Sequence, residues 1–290
     1  AVAYVAVLQM GAVAMPLSIL FGPEALEYRL HDSEAVLAIG DDSSIANLQL
    51  IRRQCPALRT VMAVGSAKGQ GDVDYDGALG AQQSDFTAVR TKAADAAILI
   101  YTSGTTGKPK GVQRDTGGYA VALAASMKHI FDGRAGETYF STSDIGWVVG
   151  HSYIVYGPLI AGMATIMYEG LPTQGMDGQP NGGIWWSLVE KYKVTAMFSA
   201  PTAVRVLRKQ DPALLKNNDL SSLRALVPAG EPLARPTGRW TRAGLTVPST
   251  DHYWQTDSIA PIIPTATGLV RIDPKLRIPG RACCSYRMEN

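Results

Sequence analysis

The stretch ILIYTSGTTGKPKGVQRDTGGYAVAL, Ile98 to Leu123, opens on an apolar run, passes through hydroxylated residues and glycine, and turns basic at Lys108. Ile98 to Tyr101 reads as the end of a buried strand, and the residues after it as the loop leaving that strand's carboxyl end. In an α/β sheet such a loop is where ligands bind. Gly104 and Gly107 permit tight or left-handed backbone, Thr102, Ser103, Thr105 and Thr106 supply hydroxyl donors, and Lys108 adds a cation. The combination describes a cradle for phosphate oxygens. The Walker spacing fails, because only two residues separate Gly104 from Gly107 and Pro109 follows Lys108.

Outward from the loop, helix and strand patterns alternate. Upstream, AVAYVAVLQM (1–10) fits a buried helix ended by Gly11, and AVAMPL (12–17) a short buried strand closed by Pro16. GPEALEYRLHD places Pro and Glu at a helix start, and AVLAIG (35–40) supplies the next strand. Downstream, strands are expected in ATIMYEG (164–170), AMFSAPT (196–202) and LRALVPAG (223–230), and helices in IWWSLVEKYK (184–193) and AVRVLRKQ (203–210). This alternation predicts an α/β fold of mostly parallel sheets flanked by helices, in two α/β subdomains. The polar stretch from Ser66 to Arg90 reads as loop and seam. It sets a partial first subdomain at residues 1–88 and a second, carrying the phosphate loop, at 89–290.

With 46% hydrophobic and 18% charged residues in 290, the chain can bury an ordinary globular core, which argues against disorder. A net charge of +2, with Lys and Arg scattered, argues against a nucleic-acid surface and for a small-molecule partner. Cys55, Cys283 and Cys284 offer no metal spacing, and adjacent cysteines pair poorly, so a reducing, cytoplasmic setting is expected. The first 23 residues carry no charge, yet Gln9, Gly11 and Pro16 interrupt them and no basic segment precedes, which argues against a membrane span or signal peptide. A start on an apolar run without methionine reads as a piece of something longer.

The 11 contiguous residues YTSGTTGKPKG (101–111) resemble the signature of the adenylate-forming superfamily. SDIGWVVGHSYIVYGPLIAGMATIMYEG (143–170), FSAPTAVRVL (198–207), AGEP (229–232) and DHYWQTD (251–257) follow in the order and approximate spacing of its acetyl- and propionyl-CoA synthetase family. The resemblance is strong from about Ala97 to Thr256 and poor after Asp257. It implies the large N-terminal domain of an AMP-forming ligase that joins a short carboxylate, propionate ahead of acetate, to coenzyme A through an acyl-adenylate. ATP, Mg²⁺ and coenzyme A are the implied cofactors and cosubstrates.

By the same resemblance Thr102, Ser103, Gly104, Thr105, Thr106, Gly107 and Lys108 hold the ATP phosphates, with Thr105, Lys108 and Thr256 as the catalytic set. Gly230, Glu231 and Pro232 border the adenine, and Asp251, His252, Tyr253, Trp254, Gln255 and Thr256 wrap base, ribose and α-phosphate. Trp147, Val148, Val149, Ala229 and Trp254 line the acyl pocket. Ala229 stands where acetate-specific members carry Val, and a methylene of pocket space is worth about 1–3 kcal/mol of discrimination. The family's Mg²⁺ ligand, a Glu, is Asp257 here, one methylene shorter. His151 is expected to be structural or pocket-lining, since an ionised carboxylate needs no base to attack. The family also has a ribose-binding Asp, a hinge Arg and a mobile C-terminal domain bearing a Lys, none of which precedes Asn290. Two readings therefore stand: a segment of a propionate-activating ligase, or a nucleotide-binding remnant without turnover.

Overall fold

In a computed structural model that describes residues 1–102, 107–175, 177–231 and 233–245, helices and strands alternate as the periodicity predicts. The chain divides into two units, Ala1–Thr116 and Gly117–Asn290.

The first unit runs through α1 (Val2–Gln9), α2 (Pro23–Asp32), β1 (Leu37–Gly40), α3 (Ile45–Ile51), β2 (Thr60–Ala63), β3 (Val73–Asp74) and α4 (Tyr75–Gly80). α2 begins with Pro23, whose missing N–H would be unused at that position. Glu24 in its first turn and Arg29 and His31 in its last complement the helix dipole. β1, β2 and β3 pair in parallel, over a core that includes Leu30, Ile45, Ile51 and Val61.

Several expectations need correction here, the first being that α1 is buried: the helix forms, but none of its residues is buried. The stretch from Ser66 to Arg90 is not only loop: it carries β3 and α4, both too short for a period to show. AVAMPL forms no strand, only a bridge between Ala14 and Ile98, with Ala14 N–H donating to Ala97 O and Leu99 N–H to Ala14 O, each at 2.9 Å. Pro16 lacks the N–H that the next rung would need. The bridge ties β4 (Ala96–Thr102) into the first unit. β4 pairs antiparallel with β5 (Lys110–Asp115), Thr102 opposite Lys110, because a connection this short cannot cross over to a parallel neighbour. The chain thus divides after Thr116, where the sequence reading put the seam between residues 88 and 89.

At the division begins α5 (Thr116–His129), followed by β6 (Thr138–Ser141), α6 (Val148–Gly150), a π-helical stretch over His151–Tyr156, α7 (Gly157–Ile160) and β7 (Ala164–Ile166). Then come α8 (Ile184–Tyr192), β8 (Val194–Ser199), α9 (Pro201–Arg208), α10 (Ala213–Lys216), β9 (Ala225–Pro228) and α11 (Arg235–Leu245). The strands form one parallel sheet in the order β7-β6-β8-β9. Tyr139 and Phe198 pack against Phe131 and Tyr153, ring centroids 5.2 to 5.5 Å apart. Phe140, Met197 and Leu226 pack instead with Trp185, Trp186, Val204 and Leu207. Burial on both faces is why β9 and the middle of β8, Ala196 to Phe198, read as apolar runs without alternation. β7, with a single neighbour, stops at Ile166, short of the strand expected through Gly170. Among the described residues no helix is long and apolar enough to cross a membrane.

Candidate functional site

β4 delivers a half-buried Thr102 to the signature loop. The described chain resumes at Gly107, whose φ of +90° is the left-handed backbone expected of it, and continues through an exposed Lys108 to Pro109. Ser103, Gly104, Thr105 and Thr106 lie outside the described residues.

In the second unit the topology itself marks a place. From β6 the chain proceeds to β7 on one side, and from β8 to β9 on the other, so the loops leaving β6 and β8 part at the sheet's carboxyl edge. Open α/β sheets bind ligands at such a switch point. Hydroxyls meet across it: Thr142 Oγ1 donates to Ser199 Oγ at 2.8 Å, and Thr142 N–H to the Phe198 carbonyl at 3.0 Å. Ala229 N–H donates to Ser199 O at 3.1 Å, carrying the β8–β9 pairing past Pro228 and leaving Ala229 only 8% exposed.

Gly230 then takes φ +103° with nothing within 4 Å of where a Cβ would be, so conformation rather than space calls for glycine. The turn brings Glu231 to α9. Its carboxylate accepts from Thr202 Oγ1 and from Arg205 Nη2 at 2.9 and 3.2 Å, and Arg205 also reaches Thr202 Oγ1 at 3.0 Å. The Thr202 hydroxyl foremost, and then Arg205, hold the Glu231 carboxyl below its ordinary pKa. Sequence reasoning named Glu231 but missed these two partners. The available signal was their spacing, three apart on one helix face, opposite an acid in a turn.

On the loop leaving β6, Asp144 Oδ1 accepts from Gly146 N–H at 2.7 Å, and its carbonyl accepts from Trp147 N–H at 3.0 Å. Gly150 passes so close that a Cβ would stand 1.8 Å from the Asp144 carbonyl oxygen. That approach sets Trp147 at 42% exposure, with Val148 buried and Val149 half-buried. His151 is fully buried, its ring edge-on to Tyr156 at 6.2 Å, a packing position. The structure therefore puts Trp147, Val148, Val149, Ala229, Gly230 and Glu231 on the segments that follow β6 and β9 at the carboxyl end of one sheet, Val148 and Val149 in the short helix α6. Pro232, Asp251, His252, Tyr253, Trp254, Gln255, Thr256 and Asp257 lie outside the described residues. Among the described residues no group of three or more His, Cys, Asp or Glu is placed to hold a metal ion, and Glu231 is already engaged. The described residues alone do not build a Mg²⁺ site.

A doubly covered parallel sheet with its candidate residues gathered at the carboxyl edge, and a glycine, hydroxyl and lysine loop between two strands, define an α/β protein. The AMP-binding enzyme family matches residues 1–288, and the chain belongs to it. Over 195 residues the chain is 58% identical to a propionate–CoA ligase of Salmonella typhimurium, covering 67% of this chain and 30% of that protein. It is 37% identical to an acetyl-coenzyme A synthetase of Halorhodospira halophila, covering 94% of this chain and 44% of the relative. The crystal structure of a Brucella canis acyl-CoA synthetase shares the fold with a TM-score of 0.79 at 29% identity, over 91% of this chain and 46% of that one. The chain thus spans less than half the length of these relatives.

Proposed function

We propose that the chain carries nucleotide- and acyl-binding machinery of an AMP-forming short-chain acyl-CoA synthetase acting on propionate. The observation that carries this reading is the signature loop, held between a buried strand and its antiparallel partner, with left-handed Gly107 and exposed Lys108 at its exit. In the first half-reaction a carboxylate oxygen bonds to the α-phosphorus of ATP and pyrophosphate leaves. In the second, the coenzyme A sulfur bonds to the acyl carbon, AMP leaves with the bonding electrons, and the thiol proton passes to solvent. Charge accumulates on phosphate oxygens, where preorganised donors act most strongly.

Thr102 to Lys108 are assigned to the phosphates, with Thr105, Lys108 and Thr256 closest to the reacting centre. Gly230, Glu231 and Pro232 border the adenine, Thr202 and Arg205 fixing the carboxylate of Glu231. Asp251 to Thr256 are assigned to base, ribose and α-phosphate, and Asp257 is the candidate Mg²⁺ ligand. Trp147, Val148, Val149, Ala229 and Trp254 form the acyl pocket. The identity to a propionate–CoA ligase supports a working ligase over a nucleotide-binding remnant. The test is pyrophosphate release from ATP and Mg²⁺, expected to depend on propionate, together with ATP titration of Lys108→Ala. Loss of a charge-assisted contact should weaken ATP about tenfold or more. Equal affinity in both proteins would remove Lys108 from the phosphates, and no propionate-dependent release would overturn the reading.

A further inference from the structure

Both flanks of the signature loop are held by one face of α2. Upstream, Tyr101 Oη donates to Asp32 Oδ2 at 2.6 Å; downstream, Tyr28 Oη donates to the Pro109 carbonyl oxygen at 3.1 Å. Tyr28 and Asp32 stand four positions apart on α2, hence on the same side of the helix. The two tyrosine rings meet edge-on, centroids 6.2 Å apart. Arg29, between them in sequence, lies over the ring of Phe21 at 4.1 Å and that of Tyr101 at 5.8 Å. Tyr101 is 6% exposed. Burial first, and then the Asp32 carboxylate, push its phenol far above its ordinary pKa, so it stays a donor. The β4–β5 ladder already pairs Thr102 with Lys110, so the hydrogen bonds from α2 add a third element against which both flanks are fixed.

We propose that Tyr28 and Asp32 are positioning residues for ATP: by fixing Pro109 and Tyr101 they hold Lys108 and Thr102 at the spacing the phosphate oxygens require. The proposal rests on the reading of the loop as a phosphate cradle. Donors already in place need no ordering when the ligand arrives, and loosening either flank restores that cost. The net contribution of one typical intramolecular hydrogen bond corresponds to about three- to tenfold in affinity.

The test uses Tyr28→Phe, which keeps the ring, Asp32→Ala, and Asp32→Asn, which keeps an acceptor oxygen for Tyr101. Titration with ATP and Mg²⁺ should show the dissociation constant rising about three- to tenfold in Tyr28→Phe and Asp32→Ala, with Asp32→Asn within about twofold of wild type. Amide hydrogen exchange at Gly107 and Lys108, measured without ligand, should speed up in Tyr28→Phe whether or not ATP binds. Faster exchange with unchanged affinity would show flanks held for stability alone and would overturn the positioning role, as would no change in either quantity. A wild type that binds no ATP, with exchange still faster in Tyr28→Phe, would remove the phosphate reading and the positioning role with it, while leaving the hydrogen bonds from α2 intact as a finding. If Asp32→Ala fails to fold, Tyr28→Phe decides the matter by itself.

Discussion

At the scale of single residues, the two positions with most leverage are small for different reasons. Ala229 is buried at the carboxyl end of β9, and under the proposed function it limits the length of the acyl chain. Ala229→Val should lower the propionate-to-acetate ratio of kcat/KM by about tenfold, from the roughly 1–3 kcal/mol that a methylene is worth in such a pocket. An unchanged ratio, measured with both acids under one set of conditions, would place the length limit elsewhere. Gly150 is small because of contact: a Cβ at 1.8 Å from a backbone carbonyl cannot be relieved by rotating a side chain. Gly150→Ala should cost about 2–4 kcal/mol in denaturant unfolding and displace the Asp144–Trp147 turn. A loss below about 0.5 kcal/mol, the level of a surface substitution, would show that the turn yields freely.

At the scale of elements, the sheet of the second unit has two edges of different character. The carboxyl edge carries the candidate site, whereas the amino edge is tied by an ion pair. Arg224 Nη1 and Nη2 donate to the two oxygens of Glu137 at 2.7 and 2.8 Å, and Nη2 also reaches the Asp132 carbonyl at 2.8 Å. The fork joins the residue before β9 to the residue before β6, across β8. Two parallel charge-assisted bonds fix geometry as well as charge. The Arg224 fork, opposed by partial burial, holds the Glu137 carboxyl below its ordinary pKa. A carboxyl lowered in this way contributes stability that is complete above its unfolded pKa of about 4.3 and is lost as pH falls through the lower folded value. Between about pH 6 and pH 3 the melting temperature of wild type should therefore fall further than that of Glu137→Gln, which has no such proton to take up. Parallel curves would mean that the fork adds nothing to stability.

For the whole molecule, the signature loop belongs to the first unit, and the adenine and acyl candidates to the second. Each unit has its own core, one around Leu30, Ile45 and Val61 and the other around Trp185, Phe140 and Met197. A ligand that binds only the native state stabilises it by about 2.7 kcal/mol at a hundredfold excess over its dissociation constant. ATP with Mg²⁺ should accordingly raise the melting temperature of wild type, and at the same concentration raise that of Lys108→Ala by clearly less. A wild type whose melting point ignores ATP at every concentration would count against nucleotide binding by this chain.

Much of the fold is legible in the sequence. The apolar runs that form β4, β8 and β9 are read directly, whereas β6 (Thr138–Ser141), with a hydroxyl residue at each end, is not among the strands the sequence reading names. The Pro-Glu start of α2 and the left-handed backbone at Gly107 are local features, and local chemistry reads them correctly. What sequence could not settle is what meets what. The antiparallel return of β5, the partners of Glu231, the backbone approach that demands Gly150 and the hold of α2 on the signature loop all join elements that periodicity treats separately. Tyr28 and Pro109 are 81 positions apart, Asp32 and Tyr101 69. A local pattern reports which side of a helix or strand is buried, and says nothing of which distant group completes a hydrogen bond there. Those partners follow only from the packing that brings α2 and β4 together, because a buried hydroxyl or carboxylate must be paired and only the assembled fold supplies the pair.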